Sequence, residues 1–167
     1  WRVSRDGMPG LIPQESQFQS LVRSLGIDNK SQIVIVPAGI SSTDFGSSAY
    51  VYWSFKVFGH EEVSILNGGW NNWSKTYPDK IETGPPIATS EGNFVASFSP
   101  DRYIDTAGVE KIVADKSSSA VLLDGRPASQ FWGEKKHPKV SSFGHIPGAK
   151  LISQSNAYNE TDNQIKP

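Results

Sequence analysis

The chain has 167 residues, with 37% apolar and 20% charged side chains and a formal net charge of −1. This is the balance of a globular protein of one ordinary domain or two small ones. It excludes a collective charge that would recruit nucleic acid or anionic lipid, and no apolar run is long enough for a membrane-spanning helix. Cysteine is absent, which excludes disulfides, thiolate zinc sites, iron–sulfur clusters and cysteine nucleophiles from these residues.

Residues 1–10 carry no apolar signal core. Phe18, Leu21, Val22 and Leu25 fall at i, i+3, i+4 and i+7, which predicts a helix with Pro13 near its start and Gly26 as a left-handed stop. Ile33 to Val36 is a continuous β-branched run closed by Pro37. Such a run predicts a strand covered on both faces. A loop of small residues follows, and then a helix predicted from Gly46 to Phe58, apolar nearly all round and therefore buried on most sides. Gly59 ends it, and His60 is read as a capping residue. Val63 to Leu66 predicts a second strand. Gly68 and Gly69 predict a turn into a short helix that carries Trp70 and Trp73.

Residues 77–104 change character. Pro78, Pro85, Pro86, Gly84 and Gly92 interrupt any helical period. The stretch reads as an extended linker whose aromatic side chains pack on their neighbours. Asp105 is the predicted cap of a helix with a Val109, Ile112, Val113 stripe, ending near Lys116. Ala120 to Leu123 predicts a buried strand ending at Asp124. A helical turn over Pro127 to Phe131, an exposed basic stretch over 133–142, a turn over 144–149 and a strand over Lys150 to Ile152 follow. Ser153 to Pro167 reads as polar loop. Helices alternating with strands predict an α/β fold with parallel sheets.

Few motifs carry chemistry. The phosphate-cradling and dinucleotide fingerprints are absent. His60, His137 and His145 are too widely spaced for a metal site, and no nucleophile elbow accompanies the many serines. The sequons at Asn72 and Asn159 are short enough to arise by chance and carry no weight. The loop after Val36 lies at the carboxyl end of a strand and opens a helix. It is either an anion cradle of backbone amides or a tight Gly/Ser connection. Asp124-Gly125-Arg126 ends a strand too. Its Arg either holds an anionic substrate or pairs with Asp124 to fix the turn.

Three stretches together resemble the rhodanese family, the thiosulfate sulfurtransferases with two rhodanese domains in tandem. They are Val51–His60 with Val63–Trp73, Leu122–Pro127 with Phe131-Trp132-Gly133, and Gly144–Lys150. The resemblance implies two partial rhodanese domains flanked by helices. Residues 1–76 would be the later part of a non-catalytic first domain, 77–104 the linker, and 105–167 the first part of the second domain. It implies transfer of sulfane sulfur from thiosulfate, or another sulfane-sulfur donor, to cyanide or a thiol through a cysteine persulfide. Pro37 matches the position of the nucleophile in the first domain, so the catalytic cysteine is expected outside these residues.

The matching loop, with Pro37, Gly39, Ser42, Asp44 and Gly46, is then vestigial. Arg126 matches the Arg that helps bind substrate, Asp124 the acid that orders its turn, and His145 a structural turn histidine. The resemblance implies no cofactor, no metal, no nucleic acid and no membrane partner. It makes the remainder of the protein's own chain a partner and tilts the compartment toward the bacterial periplasm. An alternative is a non-catalytic rhodanese-like binding or regulatory module. A weaker one is a relative of the cysteine phosphatases that share the fold. The two halves could also dock as one circularly permuted domain, which requires Ile33–Val36 and Ala120–Leu123 in one sheet; two half-domains completed by further chain are the preferred expectation.

Overall fold

A computed structural model describes residues 1–85 and 90–167. Pro86 of the predicted linker lies outside the described residues. The chain divides into two compact units, Trp1–Tyr103 and Ile104–Pro167.

The first unit opens with a hairpin that the sequence reading did not anticipate: β1 (Val3–Arg5) pairs antiparallel with β2 (Met8–Leu11). Asp6 and Gly7 form its turn, both at positive φ (52° and 78°). An Asp-Gly pair is the preferred sequence for such a two-residue turn, so the signal was present. Helix α1 (Glu15–Ser24) follows, with Phe18 and Val22 fully buried and Gly26 in the left-handed conformation that stops the chain. Leu25 lies outside this buried stripe and is half exposed.

Strand β3 (Ile33–Ile35) pairs in parallel with β4 (Val63–Ile65), Ile33 opposite Val63 and Ile35 opposite Ile65. Between them runs α2 (Ser42–Val57), which gives the expected βαβ order. Two expectations are corrected. Val34 and Val36 are 54% and 52% exposed, so β3 is open on one face. Among the described residues its sheet has two strands, and its continuous apolar run does not find cover on both sides. Helix α2 also begins four residues before the predicted Gly46, because the Ser41 hydroxyl accepts the Asp44 N–H at 3.2 Å and caps the helix there. From Val51 to Phe58 no residue of this helix segment is exposed, in line with its apolar circumference.

Phe18, Val22, Phe55, Val57, Phe58 and Phe94 form the centre of the core. The Phe18 ring stacks on Phe58 at 4.4 Å and meets Phe55 edge-on at 5.2 Å. Helix α3 (Gly69–Thr76) carries Trp70 and Trp73 as expected.

Residues 92–99 run extended across α1, with Phe94 and Ala96 buried and Val95 exposed. Side chains one helical turn apart along α1 hold this strap. Arg23 Nε donates to Phe94 O at 2.7 Å, Gln19 Oε1 accepts the Ala96 N–H at 3.1 Å, and Glu15 Oε2 accepts the Phe98 N–H at 3.2 Å. Asp28 and Asn29 accept the N–H groups of Asn93 and Val95, each at 2.7 Å.

In the second unit, the Asp105 carboxylate caps α4 (Thr106–Ala114) through the Gly108 N–H at 2.8 Å. Strand β5 (Leu123–Asp124) pairs in parallel with β6 (Lys150–Leu151), and α5 (Ala128–Phe131) lies between them in sequence. The expected buried strand over 120–123 is corrected. The ladder covers two residues, and Val121 and Leu123 are 60% and 62% exposed. The segment after Ser153 is not plain loop. It forms a 3-10 turn (Gln154–Asn156) and an antiparallel pair, β7 (Tyr158–Asn159) with β8 (Gln164–Ile165), anchored by buried Tyr158. Strands β3 and β5 belong to separate sheets, so the circular permutation does not occur.

Candidate functional site

The first candidate is the loop from Pro37 to Ser41. It leaves β3 at its carboxyl end and enters α2, the place where amides and a helix N-terminus favour an anion. Two of its amides are already engaged. The Asp44 carboxylate accepts the Gly39 N–H at 2.8 Å and the Ala38 N–H at 3.2 Å. Pro37 brings no N–H of its own, and its carbonyl accepts the Trp70 N–H at 2.8 Å. Asn71 closes the far side, its N–H on Ala38 O at 3.0 Å and its side-chain amide on Gly39 O at 3.3 Å.

Gly39 has φ +76°, and a Cβ there would run into the carbonyl of Gly68. The loop is thus tied to α3 by backbone contact. Ser42 is the first residue of α2. Gly46 sits within that helix, exposed, with open space where a Cβ would stand. Of the five loop residues singled out in the sequence, Gly39 and Asp44 are brought together by a hydrogen bond, Pro37 is held instead to Trp70, and Ser42 and Gly46 are helical positions of α2. The role of Asn71 was not legible, because it acts from a helix distant in sequence.

The second candidate lies at the end of β5. Arg126 faces Asp124 side-on: Nε is 2.9 Å from Oδ1 and 3.1 Å from Oδ2, and Nη2 is 2.6 Å from Oδ2. The Arg126 N–H also reaches Asp124 Oδ1 at 3.0 Å. Nη2 extends further to Gly144 O at 2.8 Å and so ties the strand end to the turn at 144–149. The Arg126 side-chain hydrogen bonds hold the Asp124 carboxyl below the usual carboxylate range, against a smaller opposing effect of burial. Asp124 in turn raises the Arg126 pKa. Nη1 of Arg126 makes no hydrogen bond among the described residues.

His145 follows directly. Its ring lies flat on Phe131, with centroids 3.8 Å apart and planes 7° apart, and Nδ1 is 2.8 Å from Phe131 O. A carbonyl only accepts, so Nδ1 carries the proton and the neutral ring has its lone pair at Nε2. Asp124, Arg126 and His145 border an open cleft of about 650 Å³, lined mainly by apolar residues that include Val109, Leu123, Phe143 and Ile146.

His60 is a different case. Its backbone N–H caps α2 on Phe55 O at 2.9 Å, as expected of a capping residue. Its ring, however, is buried beside Phe55 and Phe94, and Nε2 has no hydrogen-bond partner among the described residues. It belongs to the core.

No family model matches the chain. Among curated proteins it is similar to a 3-mercaptopyruvate sulfurtransferase of Escherichia coli, 29% identical over 143 residues, which is 85% of this chain and 48% of the relative. It is 33% identical to the thiosulfate sulfurtransferase of Gallus gallus over 140 residues, 83% of this chain and 46% of the relative. The chain therefore spans about half the length of the curated relatives it matches. Among solved structures, the E. coli 3-mercaptopyruvate sulfurtransferase SseA, described as having the rhodanese fold, matches with a TM-score of 0.73 at 25% identity. The match covers 93% of this chain and 54% of that one. The structure of YnjE matches with a TM-score of 0.77 at 17% identity over 98% of this chain and 39% of that one, a likeness of fold alone. The fold is of the α/β class and rhodanese-like.

Proposed function

We propose that this chain is the central part of a rhodanese-family sulfurtransferase with two domains in tandem; its curated relatives support both the family and sulfur transfer in general. In this reading a cysteine outside residues 1–167 attacks the sulfane sulfur of thiosulfate and releases sulfite. The resulting persulfide passes its outer sulfur to cyanide or a thiol. Transfer from 3-mercaptopyruvate, the donor in the names of several relatives, would release pyruvate instead.

The observation that carries the assignment of roles is the Asp44 carboxylate on the Ala38 and Gly39 amides. A persulfide is an anion and needs free amide donors around it. The first unit spends two of its loop amides on its own carboxylate and has Pro37 where a nucleophile would stand. The first domain is therefore non-catalytic and its loop is vestigial. The working site belongs to the second domain, where the Asp124–Arg126 pair shapes the turn and Arg126 Nη1 is the group left to meet an anionic donor.

The test is thiocyanate formation from thiosulfate and cyanide, and pyruvate release from 3-mercaptopyruvate with a thiol. Both residues 1–167 and the natural chain that contains them are assayed. Turnover by the natural chain, with a persulfide on one cysteine seen by mass, and none from residues 1–167 is the expected pair of results. Turnover by residues 1–167 alone overturns the reading. A natural chain inactive with both donors also overturns it and leaves the non-catalytic rhodanese-like binding module, which the Asp44 closure equally suits.

A further inference from the structure

The joint between the Pro37–Gly39 loop and the start of α3 is made of backbone. A Cβ on Gly39 would run into the Gly68 carbonyl, and one on Gly69 into the Pro37 carbonyl and the Gly39 amide. Gly39, Gly68 and Gly69 hold φ of +76°, +82° and +58°. Glycine is therefore required here for both space and conformation. Two main-chain hydrogen bonds complete the joint, Trp70 N–H to Pro37 O at 2.8 Å and Asn71 N–H to Ala38 O at 3.0 Å. It has no slack for one more carbon atom.

The residue that leads into this joint is Asn67. It is the one asparagine of the chain that is followed by glycine. Leu66 to Gly69 form a turn closed by the Gly69 N–H on Leu66 O at 3.1 Å, with Asn67 and Gly68 at its centre. Asparagine is a thermolabile side chain, and glycine after it leaves the attacking amide nitrogen without a shielding Cβ.

We propose that Asn67 is a site of self-modification to isoaspartate, and that the isoaspartate form releases the Pro37–Gly39 loop from α3. The Gly68 nitrogen loses its proton to solvent base and attacks Asn67 Cγ. Ammonia leaves with a proton returned from solvent, and a five-membered imide remains. Water then opens the imide at either carbonyl. The sum is one water consumed and one ammonia released, with no change of oxidation state. Both reacting atoms belong to adjacent residues, so the step needs neither a partner nor an open face.

The two products differ in what they do to the joint. Opening at the former side-chain carbonyl gives aspartate. The chain path is then unchanged, and a carboxylate stands one residue before the Gly68 cap of α3, where the helix terminus favours it. Opening at the main-chain carbonyl gives isoaspartate. The main chain then runs through the former side chain and gains one methylene between β4 and α3. Contacts too close for a Cβ cannot absorb that carbon, so the Trp70 and Asn71 hydrogen bonds to the loop are lost. The inference is independent of the sulfurtransferase reading.

The experiment ages the protein in warm, mildly alkaline buffer made with heavy-oxygen water. Peptide mapping by mass and labelling with a protein-isoaspartate methyltransferase follow. Expected are the mass gain of amide-to-acid conversion in the peptide that carries Asn67, one solvent oxygen in each product, and methyl acceptance at that site. Asp6-Gly7 and Asp124-Gly125 lack the amide, so isomerisation there releases no ammonia. In the isoaspartate fraction the Trp70 and Asn71 amides should exchange about tenfold faster, as for the loss of one hydrogen bond each. The aspartate fraction and an aged Asn67→Gln variant, whose ring closure would be six-membered, should keep the original exchange. Absence of conversion at Asn67 in the folded protein, when the urea-unfolded protein converts there, overturns the proposal. So does conversion at another asparagine in its place, or isoaspartate at 67 with unchanged exchange at Trp70 and Asn71. Sulfur-transfer activity enters none of these readouts, so its failure leaves the result standing.

Discussion

The Arg126 guanidinium lies edge-on against the Asp124 carboxylate, two residues earlier on the same strand end, and the same Nη2 that meets Oδ2 at 2.6 Å holds the Gly144 carbonyl at 2.8 Å. One side chain therefore links the end of β5 to the turn before β6. The Asp124 carboxylate is largely buried and the Arg126 side chain about a third exposed, so the pair is only partly screened by water.

Acid should loosen this corner first. Asp124 has its pKa depressed in the folded state, chiefly by the Arg126 hydrogen bonds. A depressed carboxyl contributes stability that is fully present above the unfolded value of about 4 and is lost as pH falls through the folded value. Thermal melts of the second unit, followed by amide exchange at 144–152, should lose protection below about pH 4. Asp124→Asn should cost about 1–3 kcal/mol at neutral pH and remove that acid-dependent step.

Arg126→Lys tests the fork separately from the charge. Lysine keeps the cation but offers no planar pair of donors to meet both carboxylate oxygens and the Gly144 carbonyl. The expected loss is about 1 kcal/mol in denaturant unfolding of the second unit, with the 144–149 turn exchanging faster than the rest. Unchanged exchange at that turn would mean that the Gly144 contact contributes nothing.

Asp44→Ala leaves the Ala38 and Gly39 amides without their acceptor and removes an acidic residue from the first turn of α2. The first unit should lose about 1–3 kcal/mol. Urea unfolding of the 167-residue chain with tryptophan fluorescence measures it, since Trp1, Trp53, Trp70 and Trp73 all lie in that unit.

Two glycines of the same loop region should respond with opposite signs. Gly39→Ala puts a Cβ at a positive φ against the Gly68 carbonyl and should destabilise by well over 1 kcal/mol. Gly46→Ala places a methyl in open space within a helix and should stabilise by about 0.5–1 kcal/mol. Their relative melting temperatures check both.

The strap is tested by Phe94→Ala. The ring is fully buried against Phe18, Phe55 and His60. Its loss should cost about 3–5 kcal/mol and expose the 93–98 amides to exchange.

The elements legible in the sequence are those written by local chemistry: the α1 stripe, the Gly26 and Gly59 stops, the Asp105 cap and the parallel βαβ order. The start of α2 was misplaced because Gly46 was read as its opening, while the cap, Ser41 with the Asp44 N–H, stood five residues earlier. Burial of β3 and β5 was misjudged because a β-branched run says that a strand is apolar, not that both its faces are covered. At the candidate site, the Asp124–Arg126 pair was readable as one of two alternatives, being only two residues apart. The Asp44 closure was not, because a cradle of amides reads the same in sequence whether a ligand or a neighbouring carboxylate fills it.

The strap over α1 joins two different rulers. Every second residue along it advances about 6.6 Å, and every fourth residue along α1 advances about 6.0 Å. Arg23, Gln19 and Glu15 meet Phe94, Ala96 and Phe98 because the two spacings stay commensurate over that short distance. The mismatch grows by about 0.6 Å at each step, so after another step or two a contact falls outside hydrogen-bond reach. The alignment works like a vernier: it gives one setting of the segment on the helix, and the addition or removal of a single residue between Phe94 and Ala96 would put the Ala96 and Phe98 rungs out of coincidence with the Phe94 one.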